Sequence, residues 1–540
     1  MNLKKLFWYA APFFAGVFFS CSETAKNPLA EMYVNFEVNL NFPQYKDLKS
    51  PGGYAYLTGG YGGVFVYNFN GTTFYAYDRA CPDNLKDTPL TFDEKDKCLH
   101  HSDTVNNCNS RYSVLLHGAV SYGSAKLSLQ EYSAVYSSNS GILRITNNSI
   151  YQKRKMEKFN IIATTFFGLE EVLADEIKAL GATDVQRLTR AVSFSGDNET
   201  LYKANYWLRT ALKILVPVKT FSAFNDKEFY EEAYKIPWQD YMAVTDTFAV
   251  DCVASGPIFT HSKYLALKCK DAIADYFRQK RGRRPDVDVE YPDLRINVHV
   301  YNSQVTVSLD STGMPMSKRG YKTRQTEAPV NEVLASGILT LTKTDFSMPF
   351  VDPMCGSGTF PIEACLMQMN IAPGSFRHFA LEKWRSFDSQ LWGRIKKEAK
   401  DLRKTAPKNT VYGFDKDVTA LDIASQNAVN AGVDKFINFD RKDFFNTPEN
   451  GFGLFMVMNP PYGERLENQE DMNEFYKQIG DTLKSCYSGS KAWILSGNLT
   501  ALKNLGLHPS KKIKLFNGPL ECRLECFEMY EGSKKKKYEN

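Results

Sequence analysis

The tetrad Asn459-Pro460-Pro461-Tyr462 closes an apolar run at Val457-Met458 and continues into Gly463-Glu464-Arg465. An amide, two ring-locked prolines and an aromatic form a rigid cup that suits a flat molecule carrying an exocyclic amine. Pro-Pro turns are common, so the tetrad gains meaning only with a second element. That element is Asp352-Pro-Met-Cys355-Gly356-Ser-Gly358-Thr359, a carboxylate followed by a glycine turn.

These residues require a particular frame. Phe350-Val351 ends an apolar run, the glycines make a turn, and 360–369 has helix-compatible residues, which reads as strand, glycine loop, helix. In a doubly wound sheet such a loop sits at the carboxyl end of a strand, where ligands bind and glycine lets the backbone approach them closely. The loop is neither Gly-x-Gly-x-x-Gly nor a phosphate loop ending in Lys-Ser/Thr, which disfavours dinucleotides and nucleoside triphosphates. Val411-Tyr-Gly-Phe-Asp415 reads as a second strand, whose terminal carboxylate can accept from ribose hydroxyls. The helix after it buries Leu421, Ala424, Ala428 and Ala431, and Asp417 belongs to its start. A third strand near Phe439 leads to Asp443-Phe444, where the carboxylate faces an adenine amine and the ring packs on the base. A fourth, 454–458, delivers Asn459, so successive strand tips present Asp352, Asp415, Asp443 and Asn459 in order.

That order resembles the class I S-adenosylmethionine-dependent methyltransferases, and the tetrad is similar to those that methylate base amines. The resemblance implies an α/β, Rossmann-like catalytic sheet over 313–531. It places Asp352, Gly356, Gly358 and Thr359 at the methionine end of S-adenosylmethionine, Asp415 at the ribose and Asp443 at the adenine. Asn459 and the Pro460 carbonyl would accept from the target amine, with Pro461 and Tyr462 completing the catalytic set. An aniline-like nitrogen has its lone pair drawn into the ring, so two acceptors and an in-line geometry are needed as the methyl arrives. Tyr462 would stack on a base taken out of its helix or loop. No metal and no covalent nucleophile is required, and Cys355 lacks a visible base partner.

Upstream, a strand at 159–164, a helix at 169–180 stopped by Gly181 and a strand near 191–194 make an α+β module over 156–220. A second helix, 262–278, spaces Leu265, Cys269, Ile273 and Phe277 four apart and carries Lys263, Lys270 and Arg278 elsewhere. It leads into a basic loop with Lys280, Arg281, Arg283 and Arg284, followed by strands at 296–300 and 305–309. Cations on a helix end and the adjoining loop suit a phosphate-tracking surface, although any charge run also suits a solvated face. The stretch resembles a ferredoxin-like unit followed, over 221–312, by a THUMP domain, which implies RNA binding.

Ser317-Lys-Arg319-Gly320-Tyr321-Lys322, Ala328-Pro329-Val-Asn-Glu332 and Gly518-Pro-Leu-Glu-Cys522-Arg523 extend the resemblance, over roughly 157–531, to bacterial large-subunit ribosomal RNA guanine-N2 methyltransferases. The implied partner is ribosomal RNA and the implied product N2-methylguanine in 23S RNA; adenine-N6 methylation is the alternative, since the tetrad also serves that amine. Some members carry a further methyltransferase domain, whereas here a basic tail, 532–540, follows, so one modification is expected.

Composition sets outer limits. A formal charge of +5 over 540 residues is modest, so polyanion affinity must come from local patches. The eleven cysteines are spread along the chain without a paired metal spacing, and most suit buried thiols. At the amino end, Lys4 and Lys5 precede an apolar stretch, 6–19, that stops at Ser20-Cys21. This reads as a lipoprotein-type signal over 1–21, with a buried or membrane-anchoring helix as the alternative.

Residues 30–150 are rich in Tyr, Gly, Asn and Ser, with alternating strands between glycine turns, which reads as an all-β domain. Tyr77-Asp-Arg-Ala-Cys81-Pro82 and Cys108-Asn-Ser110-Arg-Tyr112 resemble the Rieske-type β-sandwich family. The cluster ligands are not carried over: Asp83 stands at the first histidine position, and Val105 and Cys108 fill the second box. Cys81, Cys98, Cys108, His100 and His101 match no standard zinc spacing, and Cys81 has the option of a disulfide with Cys98 or Cys108. A membrane partner is expected only if the signal is used. An exported leader conflicts with a cytoplasmic enzyme over 156–540, which points to two reading frames joined near 155 or to a second start at Met156.

Overall fold

The computed structural model describes residues 29, 34–85, 88–101, 109–137, 141–146, 158–326, 329–446, 453–461 and 469–530. The expected signal segment, Met156, Cys108, Tyr462, Gly463-Glu464-Arg465 and the basic tail lie outside these residues. The chain divides into two compact units, Met1–Lys155 and Met156–Asn540. Among the described residues no helix is long and apolar enough to cross a membrane.

The first unit is all-β. A six-stranded antiparallel sheet runs in the order Asn35–Asn39, Ile142–Thr146, Glu131–Ser137, Phe74–Asp78, Val64–Asn68, Tyr54–Leu57. A smaller four-stranded sheet takes Thr91–Asp93, Cys98–His100, Arg111–Ser113 and Ala119–Tyr122. Buried Asp78 fixes the turn ahead of Val64 by accepting from the Tyr61 and Gly62 N–H groups at 2.7 and 2.9 Å. Cys81 and Cys98 are free thiols, so the Cys81–Cys98 disulfide is absent. Asp83 accepts from the Lys126 N–H at 2.9 Å, a turn-holding role at the position where a cluster ligand would stand.

The second unit opens with an eight-stranded sheet shared by the ferredoxin-like and THUMP-like modules. Its order is Thr183–Leu188, Ala191–Gly196, Phe159–Thr164, Lys213–Ser222, Gln304–Asp310, Leu294–Tyr301, Thr247–Ser255, Asp286–Val287. The helix Ser262–Arg281 buries Leu265, Cys269, Ile273 and Phe277 against it. This helix is longer than its expected end at 278. Lys280 and Arg281 are therefore helical, because the stop is Gly282, which takes the left-handed cap at φ 72°.

In the catalytic domain the strands are β1 Phe350–Asp352, β2 Val411–Asp415, β3 Ile437–Arg441, β4 Phe455–Met458, β5 Lys491–Ser496, β6 Lys511–Asn517 and β7 Leu520–Glu528. Their order is β3-β2-β1-β4-β5-β7-β6, with β1 to β5 parallel and β7 antiparallel to both neighbours. Helices α1 Glu332–Leu341, α2 Thr359–Gln368, α3 Ser389–Asp401, α4 Val418–Asn430 and α5 Gln469–Cys486 accompany it. β4 shows why the sheet is covered on both sides. Phe455 and Val457 join one core with α1 and the ferredoxin-like module, while Met456 and Met458 join another with α5.

The first of those cores is continuous from Ile161 and Leu173 to Leu334 and Trp493. A buried ion network runs through it: Arg319 pairs with Glu363 at 3.4 Å, and Tyr321 and Ser336 donate to the same carboxylate at 2.9 and 2.6 Å. Arg319 also donates to the Arg209 carbonyl at 2.8 Å, tying the ferredoxin-like module to the catalytic domain. Such a network stabilises only as a complete set, because any missing partner leaves a buried charge uncompensated.

Candidate active site

A cavity of about 540 Å³ opens at the carboxyl ends of β1 to β4. Asp352, Gly356, Thr359, Asp415, Asp443, Asn459, Pro460 and Pro461 all line it. Gly358 does not. It caps α2 in the left-handed conformation, and a Cβ there would meet the Ala424 side chain at 2.9 Å, so it sets the approach of loop to helix.

The first three tips are already engaged with backbone. Asp352 ends β1, is almost fully buried, and accepts from the Met354 N–H at 3.1 Å. Asp415 ends β2 and accepts from the Gly356 N–H at 2.9 Å and the Asp417 N–H at 3.0 Å, which binds the second tip to the first loop. Asp417 caps α4 by accepting from the Thr419 N–H at 2.8 Å. Asp443 accepts from the Phe445 N–H at 2.9 Å. Burial raises the Asp352 carboxyl well above the ordinary aspartate range, and the neighbouring Asp415 charge adds to this against the Met354 hydrogen bond. Burial likewise lifts the Cys355 thiol, with Asp352 and Asp415 contributing, the opposite of the lowered value that makes a thiol reactive.

The fourth tip differs. Asn459 Oδ1 is buried and has no hydrogen-bond partner among the described residues. Leaving a buried acceptor unpaired costs about 1–3 kcal/mol. The residue lines the cavity beside Pro460 and Pro461.

The Phe444 ring lines the cavity, is otherwise buried, and stacks on Tyr487 at 5.6 Å and 12°. The neighbouring Phe445, packed edge-on against Phe475 at 5.3 Å, is the more exposed of the two and also lines the cavity. The basic residues do not reach the cavity. Lys263, Arg278, Lys280, Arg281, Arg283 and Arg284 are exposed and Lys270 is half-buried, all on the THUMP-like helix or just past it, and Arg278 is paired with Asp275.

Sequence reading missed a strap. Residues 321–326 cross beside the glycine loop, and Thr326, Pro329 and Val330 line the cavity. Fully buried Asn427 of α4 holds the strap: its amide donates to the Ser357 carbonyl at 3.1 Å and the Arg324 carbonyl at 3.0 Å, and accepts from the Thr323 N–H at 3.3 Å. The one signal was an asparagine on the buried side of a predicted helix, a residue that rarely enters a core without partners.

Three family models match the second unit. They are the RlmL ferredoxin-like domain at 160–215, the THUMP domain at 223–310 and the RMKL-like methyltransferase domain at 319–525. A protein of Synechocystis sp., slr0064, provisionally named an RNA methyltransferase, is 37% identical over 369 residues, covering 68% of this chain and 96% of its own length. The chain belongs to this RMKL-like methyltransferase family. Its members use S-adenosylmethionine, and the carboxylate-tipped cavity with its close glycine turn fits that cofactor's cationic and ribose ends.

Ribosomal RNA large subunit methyltransferase K/L of Syntrophotalea carbinolica is 37% identical over 380 residues, 68% of this chain but 53% of that protein. The chain thus spans about half the length of the K/L relatives it matches. Among solved structures, SMU.472, a provisionally named methyltransferase complexed with SAH, matches with a TM-score of 0.63 at 31% identity, covering 70% of this chain and all of its own. A Listeria monocytogenes protein named as an N6-adenine-specific DNA methylase matches with the same TM-score and identity, over 71% of this chain and 98% of its own.

Proposed function

We propose that residues 156–540 transfer a methyl group from S-adenosylmethionine to the exocyclic 2-amino group of a guanine in 23S ribosomal RNA. The observation that carries this reading is the unpartnered Asn459 Oδ1. A buried acceptor on the cavity wall gains a partner only when a donor enters, and the aromatic amine of a base is such a donor. Accepting from that amine draws its nitrogen toward tetrahedral geometry and frees the lone pair for in-line attack on the methyl carbon, with the Pro460 carbonyl as second acceptor. Asp352 and Thr359 would hold the methionine end of the cofactor, Asp415 the ribose and Asp443 the adenine. Pro461 stiffens the turn, and Tyr462 stacks on the extruded base.

The RNA substrate is supported by the names of the K/L relatives and by the exposed cations of the THUMP-like helix, which supply sequence-independent phosphate affinity. Mass spectrometry of ribosomal RNA nucleosides from a deletion strain tests the assignment. N2-methylguanosine is expected to fall by one site per ribosome, and an unchanged level would defeat it. The Listeria relative's name supports a second reading, adenine-N6 methylation. In that case N6-methyladenosine, not N2-methylguanosine, would fall in the same experiment.

For residues 1–150 the reading is an exported, lipid-anchored, Rieske-like β domain without cluster ligands, made apart from the cytoplasmic enzyme, either because two neighbouring frames are joined near residue 155 or because translation also starts at Met156. Immunoblots of fractionated cells with antibodies to each unit should show two species, one in the membrane and one in the cytoplasm. A single full-length membrane-bound species would sink the reading that the two units are made separately.

A further inference from the structure

Away from the cavity, two aromatic side chains, exposed Phe167 and half-buried Phe516, meet where the ferredoxin-like module touches the catalytic domain. Phe167, in the turn after Phe159–Thr164, is 41% exposed and packs edge-on against Phe516 of β6, with ring centroids 5.5 Å apart at 87°. Backbone fixes this contact. Gly168, at φ +87°, lies so close to β6 that a Cβ would come within 2.9 Å of the Lys514 carbonyl. The β6–β7 turn, which carries the Gly518-Pro-Leu520 motif, adds Leu520 at 43% exposure.

The position of this pair on the sheet gives it meaning. β6 is antiparallel to β7, and β7 to β5, so the end of β6 that bears Phe516 lies on the same sheet edge as Asn459. Three strand spacings separate β4 from β6, about 14 Å at roughly 4.8 Å each. The cofactor carboxylates lie on the opposite side of Asn459, under β1 to β3. On the face of β6 and β7 that bears Phe516, the register sets Lys514 opposite Arg523 and Lys512 opposite Glu525, with Glu521 opposite Phe516. Three cations meet two carboxylates there: Lys514–Glu521 at 2.7 Å, Lys512–Glu525 at 3.8 Å and Arg523–Glu525 at 3.9 Å. The Lys514 ammonium also lies 5.4 Å from the Phe516 ring centroid.

We propose that Phe167 and Phe516 form a stacking platform for an unpaired base that flanks the target nucleotide, with Lys514 and Arg523 meeting the adjoining phosphates. Aromatic faces take any base, and stacking tolerates sequence because every base has a π-face. The platform therefore holds the strand while Asn459 selects the amine. This inference rests on the RNA-methylating reading.

The test is methyl transfer from tritiated S-adenosylmethionine to ribosomal RNA purified from a deletion strain, using the full chain. The pair Phe167→Ala, Phe516→Ala should raise KM for RNA roughly tenfold, the lower part of the range for losing one stacked base, with kcat and cofactor affinity held. Phe516→Leu should raise KM to a similar extent, and Phe516→Tyr should restore it. Unaltered KM in the double variant, with an active parent protein, overturns the platform and leaves the methylation reading intact. Wild-type behaviour of Phe516→Leu also overturns it, because bulk rather than stacking would then suffice. Failure of the parent protein to label ribosomal RNA defeats the reading beneath it. Cofactor affinity verifies the fold; if the double variant loses it, Phe516→Leu carries the same comparison.

Discussion

The two halves of the catalytic cavity are built on opposite terms. Under β1 to β3 every carboxylate tip already accepts from a backbone N–H, so the half proposed for the cofactor is held in shape before anything binds. Under β4 the Asn459 Oδ1 has no partner among the described residues, so the half proposed for the target keeps an unmet hydrogen bond. In the proposed reaction, preorganisation on one side and a withheld bond on the other would reserve binding energy for the reacting amine.

The sharpest way to break this contrast is Asn459→Ala. Loss of an oriented acceptor at the reacting atom should lower kcat by about 10²–10³. Calorimetric affinity for S-adenosylmethionine should persist, since no cofactor-side contact is touched. A folded variant that has lost cofactor binding would show that the halves are not separate.

A smaller effect is expected at Asn427, which belongs to the cofactor half without lining it. Asn427→Ala removes three hydrogen bonds and strands the Ser357 and Arg324 carbonyls. A stability loss of about 1–3 kcal/mol follows from leaving buried groups unpaired. Because the strap carrying Thr326 is freed at the same time, cofactor Kd should rise roughly tenfold, equivalent to about 1.4 kcal/mol. Denaturant melts and titration calorimetry measure the two; a stability loss with unchanged Kd would make the strap irrelevant to the cofactor.

What the sequence disclosed follows from how local each feature is. β4 and its neighbours were legible because an apolar run ending in a polar residue marks a buried parallel strand, and the THUMP-like helix because Leu265, Cys269, Ile273 and Phe277 repeat at helical spacing. Strand Thr183–Leu188 went unseen because it is mostly exposed and carries no apolar alternation. The stacking of Phe444 on Tyr487 joins residues forty-three positions apart, beyond the reach of any periodicity. The tips' order was readable, but not that Asp415 holds the Gly356 N–H or that Asn427 joins strap to loop, since these are contacts between elements distant in the chain. In the first unit, Cys81 and Cys98 looked like candidates for a bond that their positions in the fold do not make.

The subtlest probe separates the two uses of the cofactor half, shape and charge. Asp352 has a folded-state pKa raised by burial, so its stabilising contribution is complete below the ordinary aspartate range and is lost as pH rises through the raised folded value. Above that value the fold carries a buried charge that it resists. Asp352→Asn keeps an acceptor for the Met354 N–H and removes that charge at every pH. The ligand-free variant should therefore melt with the parent protein in acid and a few degrees above it as pH rises past the raised value. The same change should weaken cofactor binding, because in the proposed site the buried carboxylate is the countercharge for the cofactor's cationic end. Parallel melting curves across pH would show that Asp352 does not titrate in the fold. A stabilised variant with full cofactor affinity would show that its charge serves neither half.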